Sequence, residues 1–314
     1  MNKIPFVRYI KVFLLSAFAL SLFSCDHPQP KVSEVTTEAP ITHIDSITVY
    51  CDESFRYLMG QEALIYETAQ PAQHLHIIYV PESEAVRRLM TDSFSTIMIG
   101  RRLSDRERDD IFRHGRLQTD ERCFAKDAIA IVANPSFEHD TLAYDLVSQL
   151  IAGSSRQYEL VFEGNGSGAI NYMFTQFGKG AKSAAFAAKN MDELVSYLQK
   201  DAKAIGFIPF VRISDDDDSL SRDLLKKVKV LSVAKADSTG KVHVTTASQS
   251  EIADGSYPFA RPINFISHSM DEKVGTGFVN FLSKEQSGRI ILKTGLVPAI
   301  MPQRVIHVNT DGIK

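Results

Sequence analysis

From residue 46 onward the chain switches repeatedly between two hydrophobic periods. Residues 47–50, Ile-Thr-Val-Tyr, form a short β-rich run, and residues 55–68 place Phe55, Leu58, Met59, Leu64 and Ile65 at helical spacing. The alternation continues with strands predicted over 75–80, 95–99 and 128–132, and helices over 83–90 and 104–113, the latter charged and exposed. After Asn134-Pro135 a second series begins: helices over 142–151, 167–177 and 191–198, and strands over 158–162 and 204–210. Strands over 228–233 and 262–266 follow, then helices over 272–282 and 285–292. Strand and helix in turn imply an α/β fold, a parallel sheet with helices on both faces.

A length of 314 residues exceeds what one core usually serves, so two lobes are expected, with the chain crossing between them more than once. The reading assigns 46–134 to the first lobe, 135–225 to the second and 226–314 to a segment returning to the first. Residues 1–24 differ from this body. Lys3, Arg8 and Lys11 precede an apolar run over 12–23 that is too short for a comfortable membrane span and suits a signal peptide. It ends in Leu22-Phe23-Ser24-Cys25, similar to a bacterial lipobox, which implies cleavage before Cys25 and acylation there. An ordinary signal peptide with a coincidental cysteine is the alternative. Residues 25–45, proline-bearing and without apolar period, read as a flexible tether.

Loss of 1–24 would make the formal charge of −3 three units more negative, and a mildly acidic protein is a poor nucleic-acid binder. Apart from Cys25 there are two cysteines, Cys51 and Cys123, open to a bridge or to two separate thiols. No Cys/His cluster has metal spacing, and no cofactor is expected. The run Asp215 to Asp218 lacks the glycine and distal glutamate of an EF-hand and reads as a solvated loop. His74 and His76 read as surface or packing residues. Neither a Ser/His/Asp order nor a nucleophile elbow is present, so no enzyme is expected.

The binding chemistry concentrates at strand ends. Glu163-Gly164-Asn165-Gly166-Ser167-Gly168-Ala169 leaves a strand and opens a helix, where glycines admit a ligand to the backbone and unpaired N–H groups favour an anion. A tight turn with Ser167 as mere helix cap is the plainer alternative. Cys51-Asp52-Glu53-Ser54 and Gly100-Arg101-Arg102-Leu103-Ser104 leave two further strands at equivalent places. Asp52, Glu53 and Glu82 flank the same cleft and suit a cation or an amine, or else Asp52 caps the first helix and Glu82 begins the second.

The order of elements, Gly166-Ser167-Gly168-Ala169, residues 127–132 (Asp-Ala-Ile-Ala-Ile-Val), residues 254–262 (Asp-Gly-Ser-Tyr-Pro-Phe-Ala-Arg-Pro) and Gly295-Leu296-Val297-Pro298 resemble the substrate-binding proteins of phosphate ABC transporters. The resemblance implies a two-lobed type II periplasmic-binding fold; a monomer is expected, and the lipobox-like motif implies a body held at the membrane by its lipid outside the cytoplasm. It further implies capture of phosphate or a related small oxyanion for an ABC permease. Carried over residue by residue, the ligand set is Ser54, Gly100, Arg101, Gly166, Ser167, Gly168 and Ala169. The chain departs from that pattern in three ways: Ala169 stands where a threonine is usual, Glu163 where an arginine is usual, and the usual aspartate has no clear counterpart, Arg101 lying nearest. The alternative is a membrane-anchored interaction or sensory protein that keeps the fold without transport.

Overall fold

The computed structural model describes residues 45–91, 96–115, 118–178, 185–268 and 276–302. Cys25, the leader segment and nearly all of the tether lie outside the described residues.

The strands are β1 (Asp45–Asp52), β2 (Gln73–Val80), β3 (Thr96–Ile99), β4 (Thr119–Ala133), β5 (Thr141–Ala143), β6 (Glu159–Glu163), β7 (Ala185–Ala188), β8 (Ala204–Pro209), β9 (Lys229–Ala236), β10 (Val242–Thr245), β11 (Ala260–His268) and β12 (Val297–Pro298). The helices are α1 (Arg56–Ala69), α2 (Glu82–Thr91), α3 (Asp105–Gly115), α4 (Tyr144–Ile151), α5 (Gly168–Phe177), α6 (Met191–Lys200), α7 (Ser219–Leu225), α8 (Gln249–Ala253), α9 (Thr276–Leu282) and α10 (Glu285–Lys293). Single 3₁₀ turns at Glu53–Phe55 and Phe210–Arg212 follow β1 and β8.

The strands run in the order β2-β1-β3-β11-β4-β8-β6-β7, with β9 beside the far end of β4. Within each half, β2-β1-β3 and β8-β6-β7 are parallel as the alternation implies, but β11 is antiparallel to both β3 and β4, and β4 to β8. The sheet is therefore mixed rather than parallel throughout, because β11 and the shared strand β4 run against their neighbours.

β4 positions the rest of the molecule. Residues 119–128 pair with β11 and Ile129–Ala133 pair with β8, so one unbroken strand belongs to both halves. Its residues from Asp127 to Ala133 are all buried, as expected for a strand covered on both faces. The first half of β4 escapes the sequence reading, since residues 119–126 are mostly polar and half-buried. β9 pairs with β4 at Ile131–Ala133 and with β5 and β10, so residues 229–245 lie on the second half's side. The chain thus returns to the first sheet at β11, later than the boundary at 226 read from the sequence.

Cys51 and Cys123 are both free thiols. The acidic loop is not uniformly solvated: Asp216 and Asp217 are exposed, but Asp215 is buried and accepts from Tyr57 Oη at 2.9 Å. Asp218 caps α7 through Ser221 N at 3.0 Å. His74 is exposed and contacts Glu67 at 2.9 Å.

Candidate functional site

The carboxyl ends of β1, β2, β3, β6 and β8 open onto one cleft between the halves, and the first turn of α5 enters it from the second half. Gly164 and Gly166 hold positive φ (76° and 75°), which only glycine adopts without strain. At Gly166 a side chain would also overlap Ser83 Oγ from α2, so the loop can come close enough for Ser83 N to donate to Gly166 O at 3.2 Å. Ser167 stands at the N-cap of α5, yet its hydroxyl makes no capping bond, and its buried Oγ has no partner among the described residues. The plain capping role is therefore not the one its hydroxyl fills.

Gly168 is the point on which the site converges. A Cβ there would overlap Asp52 Oδ2 and lie 2.9 Å from both Glu82 Oε2 and Arg261 Nη1. These three atoms, from the end of β1, the start of α2 and the start of β11, are buried, and none has a hydrogen-bond partner among the described residues. Two acceptors, one guanidinium donor and the Ser167 hydroxyl thus face the N-terminus of a ten-residue helix, whose first N–H groups lack intrahelical partners.

Each of these groups is oriented by its other contacts. Asp52 uses Oδ1 to accept from Ser54 N at 3.0 Å, capping the turn that leads into α1. Burial first, then the Glu82 carboxylate, pushes Asp52 above the usual carboxylate range, against Arg261 and the Ser54 N–H. Glu82 opens α2 and uses Oε1 to accept from Arg101 Nε at 2.8 Å and Asn171 Nδ2 at 2.9 Å. Arg261 donates from Nε and Nη2 to Asp127 Oδ2, packs over the Phe55 ring with Cζ 5.1 Å from its centroid, and lies so close to Gly100 that no side chain fits there.

The residues named from the sequence fall into three groups. Ser167 and Gly168 meet at the convergence, and Ala169 follows them in the first turn of α5 with its methyl buried. Ser54 lines the adjoining pocket of about 280 Å³, while Gly166 and Gly100 serve close approach, to Ser83 and to Arg261. Arg101 differs from its expected role. Its guanidinium is committed to Glu82 and, through two bonds of 2.8 and 2.9 Å, to Glu107, so it does not face Gly168. The cation that does is Arg261, which sequence reasoning missed, although it sits inside the quoted run 254–262. Glu163 does not stand unopposed beside the loop, because Arg212 Nη2 contacts both its oxygens at 3.0 and 3.3 Å. Burial raises the Glu163 pKa and Arg212 pulls it back. Glu82 does begin its helix, as one reading held, whereas Asp52 caps the 3₁₀ turn ahead of α1 rather than α1 itself, and the two carboxylates also meet over Gly168.

Among solved structures, the chain is similar to a protein of Clostridium perfringens assigned as a phosphate ABC transporter substrate-binding protein and solved with bound phosphate. They share 18% identity at a TM-score of 0.63, over 82% of this chain and 100% of that one. It is similar to an ABC-type phosphate transport receptor of Vibrio cholerae at 20% identity and a TM-score of 0.60, over 80% and 99% of the two chains. PstS of Borrelia burgdorferi is similar at 14% identity and a TM-score of 0.52, over 81% and 98%. At these identities the likeness concerns the fold, the type II periplasmic-binding-protein arrangement of two α/β lobes about a cleft. The sequence matches no curated protein. Its residues 36–285 match the PBP superfamily domain, and with that span covering most of its length the chain belongs to the PBP superfamily.

Proposed function

We propose that this protein captures a small oxyanion, phosphate, between its lobes and delivers it to an ABC permease without altering it. The observation that carries this reading is Arg261 Nη1, buried at the N-terminus of α5 beside the Ser167 hydroxyl, both without a hydrogen-bond partner among the described residues. A guanidinium donor, a hydroxyl and the unpaired N–H groups of a helix start are the groups that an anion's oxygens need. Asp52 and Glu82 narrow the choice, because an acceptor-only carboxylate repels a bare anion but binds one that carries its own O–H. Ser167, Gly168 and Ala169 supply the second lobe's contacts, with Ser54 and Gly100 opposite. Arg101 acts by orienting Glu82, and the loop Gly164–Gly166 sets the approach of the lobes. Acylation at Cys25 and the tether 25–45 keep this body at the membrane, within reach of its permease.

Calorimetric titration of the full chain with phosphate at neutral pH tests the reading. Saturable binding, weakened by Ser167→Ala and accompanied by a rise in Tm, is the expected result. Silence with phosphate and across a panel of related anions would overturn it. That outcome would favour an anchored interaction protein, for which one observation speaks: the lobes already bond directly through Ser83 N to Gly166 O and Asn171 Nδ2 to Glu82 Oε1.

A further inference from the structure

We infer that the site takes its oxyanion in the singly charged form carrying two hydroxyls, donating one to Asp52 Oδ2 and the other to Glu82 Oε2. The inference rests on the oxyanion reading above and adds a count of donors to it. Both carboxylate oxygens are buried, both lack partners among the described residues, and both lie around the same point over Gly168 as Arg261 Nη1. A buried acceptor left unsatisfied weakens binding, so a ligand with one hydroxyl would satisfy one carboxylate and strand the other. Dihydrogen phosphate has two hydroxyls for the two carboxylates and two further oxygens for Arg261 Nη1 and for Ser167 with the α5 amides.

The surrounding charges favour the same form. Arg261 is matched by Asp127, and Arg101 is shared between Glu82 and Glu107, which leaves Asp52 without a cation of its own. Around the convergence, four carboxylates (Asp52, Glu82, Glu107 and Asp127) stand against two guanidinium groups. On the open side of the cleft Glu53 is paired with Arg56 and Glu163 with Arg212, and Lys189 lines the pocket as a further cation. A second negative charge on the ligand would meet this carboxylate excess at close range, among buried groups. Burial first, and then the Glu82 carboxylate, push Asp52 upward in the same surroundings.

The site should therefore sort ligands by how many hydroxyls they present. Dihydrogen phosphate and dihydrogen arsenate present two, the methylphosphonate monoanion one and sulfate none. The test is calorimetric titration of the full chain with phosphate, arsenate, methylphosphonate and sulfate at about pH 6.5 and about pH 8.5. Phosphate affinity is expected to fall by roughly tenfold or more at the higher pH, following the shrinking fraction of the monoanion. Arsenate should track phosphate, methylphosphonate should bind about tenfold more weakly, as a stranded acceptor requires, and sulfate should be silent. Glu82→Gln replaces one acceptor by a group that also donates and leaves Arg101 its bonds to Glu107. It is expected to flatten the pH dependence and improve binding at about pH 8.5. Phosphate bound equally or more tightly at the higher pH, or sulfate within tenfold of phosphate, would overturn the two-hydroxyl inference while leaving an oxyanion site. Silence with all four at both pH values would overturn the oxyanion reading, and this one with it.

Discussion

Arg261 and Asp127 are directly opposed partners across β11 and β4, close to where β4 passes from one half into the other. Nε and Nη2 of Arg261 donate to one oxygen, Asp127 Oδ2, at 3.0 and 2.8 Å, while Asp127 Oδ1 accepts from Val211 N at 3.0 Å. Both side chains are fully buried, so the pair fixes where the remaining guanidinium nitrogen points. Burial alone would push Asp127 upward, and Arg261 is the main influence pulling it back. Asp127→Asn leaves a buried guanidinium without its counter-ion and is expected to cost about 3–5 kcal/mol. Urea unfolding measures this, and the double variant that combines Asp127→Asn with Arg261→Met should cost less than Asp127→Asn alone. A double variant costing the sum of the two singles would remove the argument for a coupled pair.

Gly168→Ala places a methyl where Asp52 Oδ2 now stands. The lobes can relieve that overlap by parting, so stability should fall by no more than ~1 kcal/mol, while oxyanion affinity falls about 100-fold because the donors no longer converge. Gly240→Ala is the control. Gly240 has φ of 84° and no atom within 4 Å of a built Cβ, so strain of roughly 1 kcal/mol should appear in the melt and nothing in the titration.

Glu62 on α1 is fully buried and accepts from Ser287 Oγ on α10 at 2.9 Å, and its other oxygen has no partner among the described residues. Burial pushes its pKa up to about 8, with Ser287 opposing. The folded chain thus holds a proton that the unfolded chain releases above the ordinary glutamate value. The stability this gives is complete below that ordinary value, drains as pH rises toward about 8, and is gone above it, at about 1.4 kcal/mol per pH unit. Glu62→Gln should abolish this slope. Denaturant midpoints at intervals between pH 5 and 9 give the comparison, and parallel profiles for the two proteins would contradict the buried-acid account.

Glu163 neutralises Arg212 beside the cleft pocket that both line. Glu163→Gln should release that cation toward the ligand and raise oxyanion affinity by ~3–10-fold at low salt, with the gain shrinking as salt is added. Titration at two ionic strengths reads both effects. A loss of affinity would mean that Arg212 needs Glu163 to hold its place.

Most of the fold was legible because its strands and helices differ in period. β1, β2, β6 and β8 and α1, α2, α5 and α6 lie close to where their patterns place them. The elements that escaped carry little local signal. β7 reads Ala-Phe-Ala-Ala, with weak strand preference, and β5, β10 and α8 are five residues long or less. The site was legible only in part, for a different reason. Ser167 and Gly168 show themselves through a turn whose form needs glycine, whereas Asp52 and Glu82 read either as carboxylates flanking the cleft or as helix starters. Their meeting over Gly168 is tertiary. So is the division of labour between the two arginines: nothing in the residues around Arg101 and Arg261 says that the first is consumed by Glu107 while the second faces the ligand. Glu163 misled for the same reason, since its partner Arg212 lies 49 residues away.

β4 has one further consequence. A strand that runs unbroken from one sheet into the other, with β11 bonded alongside as far as Ala128, makes the joint a two-stranded ribbon rather than a slack linker. A hydrogen-bonded ribbon resists stretching and sideways slip but gives way to twist. The lobes should therefore behave as two plates on a torsion bar, stiffened by the buried Arg261–Asp127 cross-tie near the end of the ribbon next to the joint. Opening the cleft and turning the guanidinium away from the ligand then become a single motion.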